Sequence, residues 1–198
     1  MAPELDEQGR RIFEGLHRLL LRLAGRFPDD LVFRTRTMLA GGDLTYLPDI
    51  VTAAAAELGV TLTAPELDLL REVPVALGVG GEPTGAGQVT VSADTPPTGH
   101  FFRRDDETDL SDDLVTDALT EYAGVAGVWR AWRSDPDRRV YLAEVAPGVP
   151  AWELTAVAQT ELVQMDDDAP QVEVFWTGDD LTPYHRAALD HATPLYPA

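Results

Sequence analysis

The chain has 198 residues, 44% of them apolar, and carries a formal net charge of −19 with no cysteine. That length allows one large domain or two small ones, and the apolar share is enough for a packed core. Without cysteine there are no disulfides, no thiolate catalysis and no Cys-ligated zinc or iron–sulfur site. All 15 basic residues are arginine, so a Schiff-base lysine and a P-loop lysine are excluded as well.

The apolar runs fall far short of the roughly 18–20 residues that span a bilayer. Residues 1–25 open with Glu4, Asp6 and Glu7 and are interrupted by Arg11, Arg18 and Arg22, unlike a secretory leader, so a cytoplasmic location is expected. A field of this sign repels nucleic acid and anionic membrane surfaces and favours a basic partner protein. The charge is uneven. Residues 1–75 hold 12 acidic and 8 Arg residues, a net of −4, and residues 76–198 hold 22 and 7, a net of −15.

In chain order, Ile12, Leu16, Leu19, Leu20 and Leu23 recur at helical spacing, with Gly25 as the stop. A second helix opens at Pro28 with Asp29 and Asp30 in its first turn, and stops at Gly41-Gly42. A third runs from Pro48-Asp49 to Gly59. A fourth begins at the capping box Thr63-x-x-Glu66 and is expected to end before Pro74. Residues 1–75 therefore read as a helical bundle domain. Residues 76–99, rich in Gly and Pro, read as a linker in which only 88–92 alternates like a strand.

Residues 100–198 change period. A short strand near His100 precedes a helix capped at Ser111. Residues 124–133 and 138–145 form a hairpin around the Ser134-Asp-Pro-Asp137 turn. A helix follows Pro150, Gln171–Trp176 is a further strand, and Thr182-Pro183 opens a terminal helix. The expected class is α+β: a helical bundle, then an antiparallel sheet domain with the β-α-β-β-α-β order of a ferredoxin-like, split βαβ fold and a terminal helix.

Chemical motifs are few. The glycines of residues 78–87 are followed by an extended pattern and not by a helix, which argues against a phosphate loop. The acidic run from Asp105 lacks the Gly and Glu of an EF-hand, since Leu110 and Thr116 stand at the sixth and twelfth positions. His100 with Asp105 and Asp106 forms a weak candidate metal set. No H-E-x-x-H and no G-x-S-x-G is present.

Two features stand above that background. Arg11, Arg18, Arg22 and Arg26 lie on one stripe of the first helix, facing either the acidic second half or an acidic partner. Trp129 and Trp132 are three apart in a strand, so they face opposite sides of the sheet and one lies outside the small core.

The segments Val128-Trp-Arg-Ala-Trp132, Arg139-Val-Tyr-Leu-Ala143 and Ala192-Thr-Pro-Leu-Tyr196 resemble the C-terminal domain of the SseB family, named for enhanced serine sensitivity. The resemblance covers residues 124–198, with Leu195 where that family has an aromatic. It implies a hairpin, helix and further strand, and no catalytic residues.

The function expected from these features is a non-enzymatic adaptor or regulatory module. It would bind another protein, with a basic surface as the match, through a Trp-bearing sheet face and acidic surface. Trp129, Trp132, Arg18 and Arg22 are the candidate contacts, and no cofactor is expected. Association of copies of the chain is left open. The alternatives are a metal-dependent enzyme using His100, Asp105 and Asp106, and a small-ligand sensor, the latter by fold analogy alone.

Overall fold

The structure is a computed structural model, and it describes residues 6–97 and 99–196. Helix α1 (Glu7–Leu23) starts at Asp6, whose carboxylate accepts the Gly9 N–H at 2.7 Å. Its buried residues Ile12, Leu16, Leu19, Leu20 and Leu23 are those of the apolar stripe. Gly25 follows with φ +70°, and a Cβ there would meet the Tyr184 ring at 2.4 Å, so both the backbone and the packing require glycine.

Helices α2 (Asp29–Ala40) and α3 (Leu47–Leu58) follow, and Gly59 ends α3 in the left-handed conformation. The capping box of Thr63 and Glu66 starts α4 (Ala64–Ala76). This helix passes through Pro74 rather than ending before it. The proline removes one intrahelical bond only a turn from the end, and its carbonyl then accepts from the N–H groups of Val79 and Gly80. Short strands β1 (Leu62–Thr63) and β2 (Val91–Ser92) pair in parallel and tie the Gly/Pro-rich segment back onto the helices.

The main sheet has five strands: β3 (Phe101–Arg103), β4 (Val125–Ser134), β5 (Arg138–Val145), β6 (Gln171–Trp176) and β7 (Thr193–Tyr196). Between them lie α5 (Leu110–Thr120), α6 (Ala151–Gln164) and α7 (Pro183–Asp190). Helix α5 is capped two residues earlier than the Ser111 expectation. The Asp109 carboxylate takes the N–H groups of Ser111 and Asp112, and the Asp112 carboxylate returns to the Asp109 N–H.

The α+β class holds, with helices preceding the sheet and a helix near the end. The ferredoxin-like strand order does not. The strands lie in the order β3-β4-β5-β6, with β7 also on β4, and the sheet is mixed because β6 is parallel to β5. Strand length explains this. The ten residues of β4 seat two short strands end to end along one edge, β3 opposite residues 132–134 and β7 opposite residues 128–130.

One face of the sheet packs α5 and α6, and the other packs α7. The larger core runs without a break from α1–α4 into the sheet, joining Leu16, Leu39 and Leu70 to Val128, Ala143 and Val174. The smaller core joins Leu21 and Ala24 of the α1 end to Phe102, Ala131, Leu142, Phe175 and Tyr184.

Gly127 lies under the Trp129 indole, which a Cβ would meet at 2.3 Å. Gly127→Ala is therefore expected to destabilise the protein by ~1–3 kcal/mol through overpacking. Gly87→Ala, which meets nothing within 4 Å, should leave the urea midpoint nearly unchanged.

Candidate functional site

The two tryptophans of β4 take opposite faces. Trp129 is half-buried against the smaller core on the α7 side. Trp132 lies on the other face, at the hairpin end, beyond the cover of α5 and α6. It stands in cross-strand register with Arg103 of β3 and Arg139 of β5. The two guanidinium carbons lie 4.9 and 5.1 Å from the indole centroid. Arg103 is anchored on Asp137 at 3.2 Å, and Arg139 makes a bidentate pair with Asp109. The hydrogen bond to Arg139 holds the Asp109 carboxyl below the usual carboxylate range.

This stack forms one wall of an open cleft of about 390 Å³, also lined by Ser111, Leu162, Met165 and Asp166 to Asp168. Leu162, Met165 and Trp132 supply its apolar surface, and Met165 is 40% exposed. At the rim, Arg138 is bound by Asp29 and Asp167, whereas Asp166 and Asp168 are exposed and make no ion pair among the described residues. The Trp132 indole N–H is screened from solvent and has no acceptor among the described residues.

Arg18 and Arg22 lie elsewhere. The Arg18 guanidinium stacks over Trp176 at 4.3 Å and pairs with Asp179 at 3.1 Å, so the α1 stripe meets the acidic second half within the molecule. Arg22 lies 3.8 Å from Glu66. Both line a small depression of about 60 Å³ with Asp179, Asp180, Thr182 and His185. The structure thus brings Arg18 and Arg22 together, but not with either tryptophan of β4.

The weak metal set is not assembled. The His100 Nε2 bonds the Gly25 carbonyl at 3.0 Å, Asp105 accepts the Glu107 N–H at 3.1 Å, and Asp106 pairs with Arg104 at 2.6 Å. No group of three or more His, Cys, Asp or Glu placed to hold a metal occurs among the described residues. The acidic loop instead wraps a buried arginine. Arg130 donates to the carbonyls of Asp105 and Glu107 and to the Asp112 carboxylate.

A buried polar cluster was not anticipated. Arg36 of α2 donates to both carboxylate oxygens of Glu173 on β6, at 2.9 and 2.5 Å. His185 Nε2 lies 3.0 Å from the same carboxylate, and its Nδ1 lies 2.7 Å from the Thr182 hydroxyl. Arg36, Glu173 and His185 are each almost fully enclosed. Burial pushes the Glu173 carboxyl up, but the Arg36 charge and the His185 bond outweigh it and hold the group at about 2. The sequence signal was one carboxylate inside the apolar run of Gln171–Trp176, a position where a charge persists only if paired.

Arg36 and His17 also close the outer edge of β6. Arg36 donates to the Val172 carbonyl at 2.8 Å, and the His17 Nε2 to the Val174 carbonyl at 2.7 Å. Full burial lowers the His17 ring to about 4.

Comparison of the chain with protein families, curated proteins and solved structures found no match. No helix among the described residues is long and apolar enough to cross a membrane.

The depressed His17 value means that the unfolded chain binds a proton there before the folded one does. This part of the stability is complete above about pH 6.5 and is lost as pH falls towards 4. Glu173 adds stability that is present above its unfolded value and lost as pH falls towards 2. Denaturant midpoints measured from pH 7 to 3 should fall with acid, and His17→Gln should flatten the limb between 6.5 and 4. Arg36→Leu, which strands the buried carboxylate, is expected to cost ~3–5 kcal/mol at pH 7.

Proposed function

We propose that the protein is an interaction module whose Trp132 cleft receives a basic segment of another protein. One observation carries this reading: an indole is held between two guanidinium groups, at the mouth of a cleft with an apolar floor and a carboxylate rim. The stack fixes the Trp132 ring, so little side-chain freedom is lost when a partner packs on it. Met165, above the buried Leu162, offers surface for one apolar anchor. Asp166 and Asp168 supply unneutralised charge beside it, which steers and orients a cationic segment. The arginines of the stack are already neutralised by Asp109 and Asp137 and do not oppose such a ligand.

Arg18 and Arg22 have a different role in this reading. They are intramolecular ties of α1 to the second half and to α4, and Trp129 is a packing residue. The resemblance of residues 124–198 to the SseB C-terminal domain brings no catalytic residue and is in keeping with a binding role.

An array of short peptides, each with three or four Arg or Lys residues around one Leu or Phe, tests the reading. Wild-type protein should retain a subset whose affinity falls as salt is raised from 50 to 300 mM, since exposed charges are screened over roughly 8–10 Å near physiological ionic strength. Trp132→Ala should weaken those peptides about tenfold or more, in the range of a central aromatic anchor. Asp166→Asn with Asp168→Asn should remove most of the salt dependence, and Trp129→Phe should change little. Retention that is indifferent to Trp132 would overturn the assignment.

A further inference from the structure

The buried cluster around Glu173 has a chemical polarity that packing alone does not require. Glu173 is held ionised, so its carboxylate only accepts hydrogen bonds. In the neutral imidazole the proton then sits on Nε2, 3.0 Å from Glu173 Oε2, and Nδ1 carries the lone pair. That lone pair faces the Thr182 hydroxyl at 2.7 Å, so the hydroxyl donates to it. The result is a hydroxyl, an imidazole and a carboxylate in series, with Arg36 fixing the far end.

The helix start adds a second observation. Thr182 is the N-cap of α7, yet its side chain caps no backbone N–H. The hydroxyl has turned to His185 instead. The N–H groups of Tyr184 and His185 are left without an acceptor among the described residues. Those donors point to the region that a cap oxygen usually fills. Thr182 and His185 both line the small depression between Arg18 and Asp180, and Thr182 also borders the neighbouring one shared with Arg22, Asp94 and Arg186.

We propose that Thr182 is a nucleophile for short-chain acyl esters, with His185 as its general base and Glu173 orienting the imidazole. The Thr182 Oγ forms a bond to the ester carbonyl carbon as its proton passes to His185 Nδ1. The carbonyl oxygen takes the negative charge, facing the N–H groups of Tyr184 and His185. The bond to the leaving oxygen breaks, that oxygen takes the proton from Nδ1, and an acyl-threonine remains. Water, deprotonated by the same nitrogen, then releases the carboxylic acid and restores the hydroxyl. A depression of about 60 Å³ suits an acetyl-sized group. Glu173 and Arg36 touch no substrate and are positioning residues.

The test uses the full chain and p-nitrophenyl acetate. Wild-type protein should release nitrophenol with a burst, and a quench during turnover should place an acetyl group on the peptide containing Thr182. Thr182→Ser should keep the reaction. Thr182→Val, of similar shape, should lose about a hundredfold or more, the scale of a general-base-assisted nucleophile. His185→Gln should lose the burst. Acetylation mapped on wild-type protein to another residue, or no acetyl group on Thr182, overturns the proposal whether or not the variants fold. Equal rates for wild type and a folded Thr182→Val overturn it too.

Discussion

The outer edge of β6 is the constraint on which the rest of the structure depends. An edge strand presents unpaired carbonyl and amide groups, and in a buried position each must find a partner. Here the partners are side chains. Arg36 and His17 reach the carbonyls of Val172 and Val174 from α2 and α1, and Gln171 reaches back to the Asp29 carbonyl. The helical part therefore occupies the place where another strand would lie. Strand β6 is buried along its whole length, although it lies at the margin of the sheet.

Arginine suits this work better than lysine would, and the chain has no lysine. Arg36, Arg130 and Arg133 are among the largest fully buried side chains of the protein. Each donates through its two terminal nitrogens to a fork of acceptors, while its Nε has none among the described residues. Arg36 takes Glu173 and a carbonyl, Arg130 takes Asp112 and two carbonyls, and Arg133 takes both oxygens of Asp29. Point charges on flexible stems could not bind these planar acceptors two at a time. Some of the acidic residues are used in the same way. Asp29, Asp109, Asp112 and Glu173 are structural counter-ions, while Asp166 and Asp168 remain as surface charge.

Local chemistry was legible in the sequence, and pairing across distance was not. The apolar stripe of α1, the Thr63–Glu66 capping box and the β4–β5 hairpin follow from spacing and turn residues, and the structure contains each of them. The parity of Trp129 and Trp132 also placed them on opposite faces. Strand order was beyond reach, because nothing local in a three-residue β3 says which neighbour it takes. The two-residue strands β1 and β2 have no periodicity to read. The Thr182–His185–Glu173–Arg36 series joins three elements, α2, β6 and α7 with its cap. Only Thr182 and His185 are near each other in sequence, at the spacing of a cap and its first turn.

Closure of the β6 edge also bears on when the protein becomes whole. The contacts of His17 and Arg36 with β6 bridge separations of 157 and 137 residues. Contacts that distant close late, since the entropy of a long loop is lost before they repay it. During synthesis α1 and α2 emerge with their inward-facing cation and imidazole unmatched until β6 has been made. Until then Arg36 and His17 keep the water that β6 later replaces, within faces that are otherwise mainly apolar.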